Sequence, residues 1–467
     1  MSPAEWNKKL AGLAAAKHKG AMPIVFLCGP KSSGKSTFGK LLLNRFITDQ
    51  GNVNNKPWST VAVLDIDPGQ PEFTPPGLVS LNKTTCPNLG PTFCHPALEL
   101  EKEQLRVHAI ASTTLGQNPS HYVEAVLDLF SFYQSTLSSR CPLIINTAGW
   151  IQGTGLDILS ELIQKLHPSE VIYMSQDGPE ETVDDLKSAC GSAISFSILP
   201  SQTGSGSSRT AADFRTMQTM SYFHLHWPSL SSGLPTWDPA PLFTMRQWRV
   251  QYHTSSRGFL GILCYGSQPA PELLDERING MILALVKIED QAALSDLLPS
   301  PDASEMELDR LEDEHQQHYT SKQRCGIILT PQGLPLILNP NDRALSPAHS
   351  RTLGLVLIQG IDATEGELQL LSPLPEEVLT AAGEDAKSLV LVVGGFDTPE
   401  WSYFEDLYLK TADGGVNSGR IATRGTSVEQ CGRPYVEVLR GGEKKSAGSK
   451  GWRVRRDLGR RSRDELG

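Results

Sequence analysis

Gly29-Pro30-Lys31-Ser32-Ser33-Gly34-Lys35-Ser36 follows an apolar run at 23–28 and opens a helical run at 35–48. The spacing is GxxxxGK[ST], with the strand before it and the helix after it that the mechanism requires. The two glycines let the backbone wrap around an anion, so that several N–H groups converge at a helix N-terminus. Lys35 is expected to reach the β- and γ-phosphates of a nucleoside triphosphate, and Ser36 to be a Mg²⁺ ligand.

Outward from this loop, strand-length apolar runs lie at 60–64, 105–111, 142–146, 170–174 and 194–199. Helical periodicity lies between several of them, at 121–137, 156–166, 180–190 and 209–226. Alternation of this kind predicts an α/β domain with a mostly parallel sheet covered on both faces. A Pro/Ser/Gly-rich break at 227–241 then ends the alternation. Beyond it come short β-type runs at 247–253, 259–265, 281–288, 326–329, 353–359 and 389–393, with few helices between them. The reading is a linker helix at 1–21, a P-loop domain at 22–230, a smaller mostly β domain at 231–439 and a basic tail at 440–467.

The composition bounds this reading. The chain has 467 residues, 39% of them hydrophobic, enough for a core and for about three domains or two large ones. Its net charge of −10 excludes a polybasic coat, so a nucleic-acid site must be a local groove. Eight cysteines without a CxxC pair argue against a disulfide scaffold or a zinc ribbon. No apolar run approaches the roughly 18–20 residues that span a bilayer. The segment 296–314 carries eight acidic residues and one basic, and reads as a solvated surface. The last 28 residues hold ten Lys/Arg against four Asp/Glu, a local charge of +6.

The second strand ends in Asp65-Ile66-Asp67-Pro68-Gly69-Gln70. Pro68-Gly69 turns the chain there, so both carboxylates belong at the carboxyl edge of the sheet, where ligands bind in open α/β folds. One can hold Mg²⁺ through water, and the other can accept a proton from an attacking hydroxyl. A GTPase is disfavoured: no DxxG follows the loop, and Asn82-Lys83-Thr84-Thr85 lacks the aspartate of NKxD. An LSGGQ signature is also missing. Trp150, in Thr147-Ala148-Gly149-Trp150, is expected either to stack on a base or to anchor the core. Arg209 and Arg215 flank the start of a helix after a Gly/Ser loop, where a mobile lid with phosphoryl-neutralising arginines belongs.

Taken together, GPKSSGKST, DIDPGQPEFTPPG, INTAGW, RTAADFRTMQTMSYF and WRVRRDLGRR resemble the eukaryotic polynucleotide 5′-hydroxyl kinases of ribosomal-RNA processing. These are nucleolar relatives of the RNA kinase in the pre-mRNA cleavage complex. The resemblance implies transfer of the γ-phosphate of ATP to the 5′-hydroxyl of RNA, in a nuclear and nucleolar complex with a HEPN-type endoribonuclease. That nuclease cuts the second internal transcribed spacer. The resemblance makes Gly29, Pro30, Lys31, Ser32, Ser33, Gly34, Lys35, Ser36 and Thr37 the phosphate cradle. It puts Asp65, Asp67 and Gln70 with metal and acceptor, Thr147 and Trp150 in a clasp for the RNA end, and Thr113 in a substrate loop between Ser112 and Thr114. Arg209 and Arg215 match the lid. Gln176 is the candidate for the base pocket. Members of that family carry a further β-rich domain ahead of the kinase domain, which a P-loop beginning at Gly29 is expected to lack.

Asp67 is the expected base, with Asp65 nearer the metal. Trp452, beside Arg453, Arg455 and Arg456, is expected to dock on the partner nuclease; RNA phosphates are the alternative target. A nucleotide-gated scaffold with little turnover is the alternative to an active kinase, and a small-metabolite kinase is weaker.

Overall fold

Ile24–Cys28 is apolar throughout, and such a strand needs cover on both faces. It becomes β1, an interior strand of a seven-stranded sheet. The other strands are β2 (Val61–Ile66), β3 (Leu78–Thr84), β4 (Gln104–Ala109), β5 (Leu143–Thr147), β6 (Glu170–Met174) and β7 (Ser195–Leu199), in the order β4-β3-β2-β5-β1-β6-β7. The structure is a computed structural model. It describes residues 2–18, 22–48, 59–95, 104–138, 141–175, 178–202, 209–227, 235–253, 257–295, 297, 326–403 and 405.

Alternation along the strands sorts the core into two layers. Phe26, Cys28, Leu64, Ile145 and Tyr173 face α3 (Pro119–Thr136), α4 (Thr154–Leu166) and α5 (Glu180–Cys190). Val25, Leu27, Val63, Ile144 and Met174 face α1 (Ala4–His18) and α2 (Lys35–Thr48). The first helix is therefore no linker. Trp6, Leu10, Leu13 and Ala14 are buried, and Trp6 meets Phe38 of α2 edge-on at 5.5 Å.

The sheet is parallel from β2 to β7, but β2–β3 and β3–β4 run antiparallel. Sequence periodicity overlooks β3, because Ser80 and Asn82 interrupt its apolar pattern. Both are buried, with Asn82 Nδ2 donating to Ser80 Oγ at 2.8 Å.

α6 (Ala211–Phe223) leads through the short pair β8 (Leu225–His226) and β9 (Thr236–Trp237) into an eight-stranded sheet. Its strands are β10 (Trp248–Gln251), β11 (Gly261–Cys264), β12 (Ile282–Ile288), β13 (Ile327–Leu329), β14 (Pro335–Ile337), β15 (Ser350–Asp362), β16 (Glu367–Leu371) and β17 (Leu389–Val393). Of these, β14 and β16 have no counterpart among the expected runs. The helices α7 (Leu274–Ile278) and α8 (Glu376–Glu384) complete the region.

One face of this sheet packs on the first. Ala284, Leu355, Leu357 and Val392 share a cluster with Leu78 and Val107 of β3 and β4 and with Tyr222 and Phe223 of α6. Met1–Tyr403 accordingly forms one compact unit. Among the described residues no helix is long and apolar enough to cross a membrane.

Candidate active site

The loop between β1 and α2 is built to hold an anion. Gly29 (φ +141°) and Gly34 (φ +99°) adopt conformations that L side chains rarely reach. A Cβ on Gly29 would lie 2.8 Å from the carbonyl oxygen of Met174. The Ser33 hydroxyl is buried with no partner among the described residues, as expected of a group that awaits an oxyanion. Lys35 is buried too, and Nζ donates to the carbonyls of Gly29 and Pro30, each at 2.9 Å. An ammonium has three donors, so one remains for a ligand in the loop. Burial pushes the Lys35 pKa down, and the Asp67 charge opposes that shift. These features fit a triphosphate.

The two carboxylates of β2 have different surroundings. Asp65 is fully buried. Its Oδ2 accepts the Glu72 backbone N–H and its Oδ1 accepts Asn146 Nδ2 at 2.9 Å. Burial raises its pKa to about 7, against those two hydrogen bonds. Asp67 is partly exposed, and its Oδ1 caps the turn by accepting from Gly69 N at 2.9 Å and Gln70 N at 3.2 Å. Its Oδ2 has no partner among the described residues, which makes it the accessible carboxylate oxygen. Burial raises the Asp67 pKa, and Lys35 pulls it back.

Ser36 and Asp65 line one cleft of about 340 Å³ with Lys40, Glu72, Asn88 and Asn146. Asn146 Oδ1 is buried there with no partner among the described residues. Hydroxyl, carboxylate and amide oxygens are the donors that Mg²⁺ prefers, so the set fits that ion. Gln70, expected among the ligands, does not line the cleft. Among the described residues no group of three or more His, Cys, Asp or Glu could hold a metal.

Glu72, which the sequence reading passed over, organises this cleft. Its Oε1 meets Lys40 Nζ at 2.8 Å, His95 Nε2 at 2.8 Å and Asn88 Nδ2 at 2.7 Å. Burial pushes its carboxyl up, but the bonds to His95 and Lys40 outweigh this and hold its pKa below the usual value.

The expected clasp divides. Trp150 is 39% exposed, so it is no core anchor, and its ring edge lies 3.0 Å from where a Gly116 Cβ would be. The preceding Gly149 sits against the P-loop, since a Cβ there would be 2.7 Å from Lys31 Cα. Thr147, by contrast, is buried and donates to the Leu27 carbonyl at 2.8 Å. It ties β5 to β1 and presents no hydroxyl to a ligand, which corrects its expected place in the clasp. Thr113 lies at the acidic turn, its carbonyl oxygen 3.0 Å from a Gly69 Cβ position.

Thr210 and Asp213 form the capping box that starts α6. Arg209 is exposed just before it, and Arg215 one turn on donates through Nε to Asp397 Oδ2 at 2.5 Å. Gln218 fastens the helix over the acidic turn, donating to the carbonyls of Pro71 at 2.8 Å and Thr74 at 2.7 Å.

Two further residues escaped the sequence reading. Gln202 N donates to Ser33 O at 2.8 Å, and Gln202 Oε1 accepts from Thr37 Oγ1 at 2.9 Å. Trp6 Nε1 donates to Pro200 O at 2.8 Å, and its ring covers Gly34. No local motif marks either residue. Gln176, Trp452, Arg453, Arg455 and Arg456 lie outside the described residues.

Residues 29–225 match the family described as mRNA cleavage and polyadenylation factor CLP1 P-loop. Over 98% of its length the chain is 42% identical to polynucleotide 5′-hydroxyl-kinase GRC3 of Gibberella zeae, and it spans 64% of that protein. Over 83% of its length it is 40% identical to polynucleotide 5′-hydroxyl-kinase grc3 of Emericella nidulans, spanning 50% of it. The chain thus spans between half and two thirds of the length of these curated relatives. Among solved structures, one from a wild-type Clp1p–Pcf11p complex superposes with a TM-score of 0.52 at 15% identity. That match covers 85% of this chain and 80% of the other. At that identity the likeness is one of fold. Residues 29–225 therefore match the CLP1 P-loop family, and the chain is similar over most of its length to proteins named polynucleotide 5′-hydroxyl-kinase.

Proposed function

We propose that this chain is an ATP-dependent polynucleotide 5′-hydroxyl kinase acting on RNA. The observation that carries the reading is Asp67. Its Oδ2, without a partner among the described residues, sits on the acidic turn, and its charge acts on Lys35 of the phosphate loop. A base of this kind belongs where an acceptor hydroxyl meets a γ-phosphate.

The 5′-oxygen forms the new O–P bond while the bond from the γ-phosphorus to the β-bridging oxygen breaks. Asp67 Oδ2 takes the hydroxyl proton. Lys35 and the arginines at 209 and 215 offset charge on the transferring group, and Trp150 stacks on a base near the 5′ end. Mg²⁺, held through Ser36 and Asp65, would neutralise phosphate charge. Positioning and electrostatics supply most of the acceleration in phosphoryl transfer.

The likeness to ribosomal-RNA-processing kinases extends the proposal. The setting would be the nucleolus, the substrate the 5′-hydroxyl left by cleavage of the second internal transcribed spacer, and the partner a HEPN-type endoribonuclease. Trp452, Arg453, Arg455 and Arg456 would dock on that partner.

The test is transfer of ³²P from γ-labelled ATP to an RNA oligomer with a 5′-hydroxyl, with and without Mg²⁺, with Lys35→Ala as control. Label on the RNA with wild type and none with the control supports the kinase. ATP binding without transfer would instead favour a nucleotide-gated scaffold.

A further inference from the structure

β17 ends at Val393, and the four residues after it, Gly394-Gly395-Phe396-Asp397, run from the second sheet onto the P-loop domain. Gly395 N donates to Ala111 O at 2.6 Å, and Gly395 forms an isolated parallel bridge with Ser112. The approach is backbone to backbone, since a Cβ on Gly394 would lie 2.3 Å from Ala111 O. The buried Phe396 ring packs against Gly77, at the far end of the acidic turn. Asp397 accepts from Arg215 of α6. One short segment therefore touches the loop that carries Thr113, the turn that carries Asp67, and the lid helix.

The pairing with Arg215 uses one nitrogen only. Asp397 Oδ2 meets Nε, while Nη1 and Nη2 have no partner among the described residues. Gln218, three residues on and on the same helix face, is fixed to Pro71 and Thr74. The guanidinium is thus held at its base by Asp397, and its outer fork has no partner among the described residues.

We propose that Asp397 is a positioning residue for Arg215, through which the β-rich region completes the kinase site. The proposal rests on the kinase reading and on Arg215 as a lid residue. A partly exposed ion pair contributes little to stability. Its effect belongs in the aim of the fork, and so in the rate of transfer rather than in folding.

The experiment compares wild type, Asp397→Ala, Asp397→Glu, Arg215→Ala and the double variant Arg215→Ala/Asp397→Ala. Single-turnover transfer to a 5′-hydroxyl RNA is measured at saturating ATP, together with the KM for ATP and the thermal midpoint. Losing an orienting partner costs about 10–100-fold at metal sites, and the lower end is expected here. Asp397→Ala should slow transfer about tenfold and leave the KM for ATP and the midpoint unchanged. Asp397→Glu should recover most of the rate, and Asp397→Ala should cost nothing further once Arg215 is gone. Wild-type rates in Asp397→Ala, or independent losses in the double variant, would overturn the proposal and leave the kinase reading standing. A wild-type chain that transfers no phosphate would overturn both.

Discussion

At the scale of single residues, two aspartates two positions apart are set to different tasks by their surroundings. Asp67 keeps one oxygen for the turn, and in the proposed mechanism the other takes the acceptor proton. Asp67→Asn retains a carbonyl oxygen that can still cap Gly69 and Gln70, so the turn should survive. The expected outcome is a fall in kcat of about 10²–10⁴-fold, typical of a lost general base, with the KM for ATP within a few-fold of wild type. A kcat within threefold would move the role to Asp65. Asp65 itself gives a pH prediction. Its folded pKa of about 7 lies above the ordinary 3.8, so the folded state holds its proton more tightly than the unfolded one. The stability this adds is complete below about pH 4 and is lost as the pH rises through about 7. Asp65→Asn removes that loss. In the absence of nucleotide and Mg²⁺, the variant's thermal midpoint relative to wild type should therefore rise from pH 5 to pH 7.5. A difference that stays constant with pH would show that burial does not keep Asp65 protonated.

At the scale of elements, the end of β5 shows how one short motif splits between structure and contact. Thr147 still lies in the strand and points inward, whereas Trp150, beyond the Gly149 turn, is half-exposed. Opposite outcomes follow. Trp150→Ala should raise the KM for RNA by the loss of about 1–3 kcal/mol of stacking and hardly change the melting temperature. Thr147→Val should leave the KM for RNA alone and cost about 1 kcal/mol of stability, the net value of its bond to Leu27. Parallel measurement of RNA titrations and thermal melts decides both. An unchanged KM for RNA in Trp150→Ala would remove the stacking role.

At the scale of the whole molecule, the two sheets are held by a shared apolar core and by Arg106. That side chain lies on β4 and is 10% exposed. It pairs with Asp128 of α3 at 2.5 Å and Glu289 at 2.9 Å, and donates to the carbonyls of Pro347 at 3.0 Å and Ser350 at 3.3 Å. His108 Nε2 also meets Asp128, at 2.7 Å. Removing one member of a buried ionic network leaves its partners uncompensated, at a cost of roughly 3–5 kcal/mol. Arg106→Ala should lower the calorimetric midpoint well below wild type. Lys165→Ala, which breaks an exposed pair with Glu161 on α4, should change stability by less than about 0.5 kcal/mol. Equal effects of the two variants would show that the Arg106 network does not join the sheets.

The sequence by itself determined the nucleotide loop, the strand–helix alternation and the bounds of α2, β6, α5 and β17, all of which coincide with their expected runs. These features are local: periodicity, caps and turn residues are properties of neighbours in the chain. Tertiary structure alone decided that Thr147 faces inward, that Asp67 keeps the open oxygen, that Glu72 and Asn146 surround Asp65, and that α1 docks on α2. It also decided that a polar-interrupted run at 78–84 is a buried strand, where Asn82 Nδ2 donates to Ser80 Oγ while Asn82 Oδ1 has no partner among the described residues. The remaining reason is distance along the chain. Trp6 reaches Pro200 across 194 residues and Arg215 reaches Asp397 across 182, and a local pattern carries no record of a partner that only folding supplies.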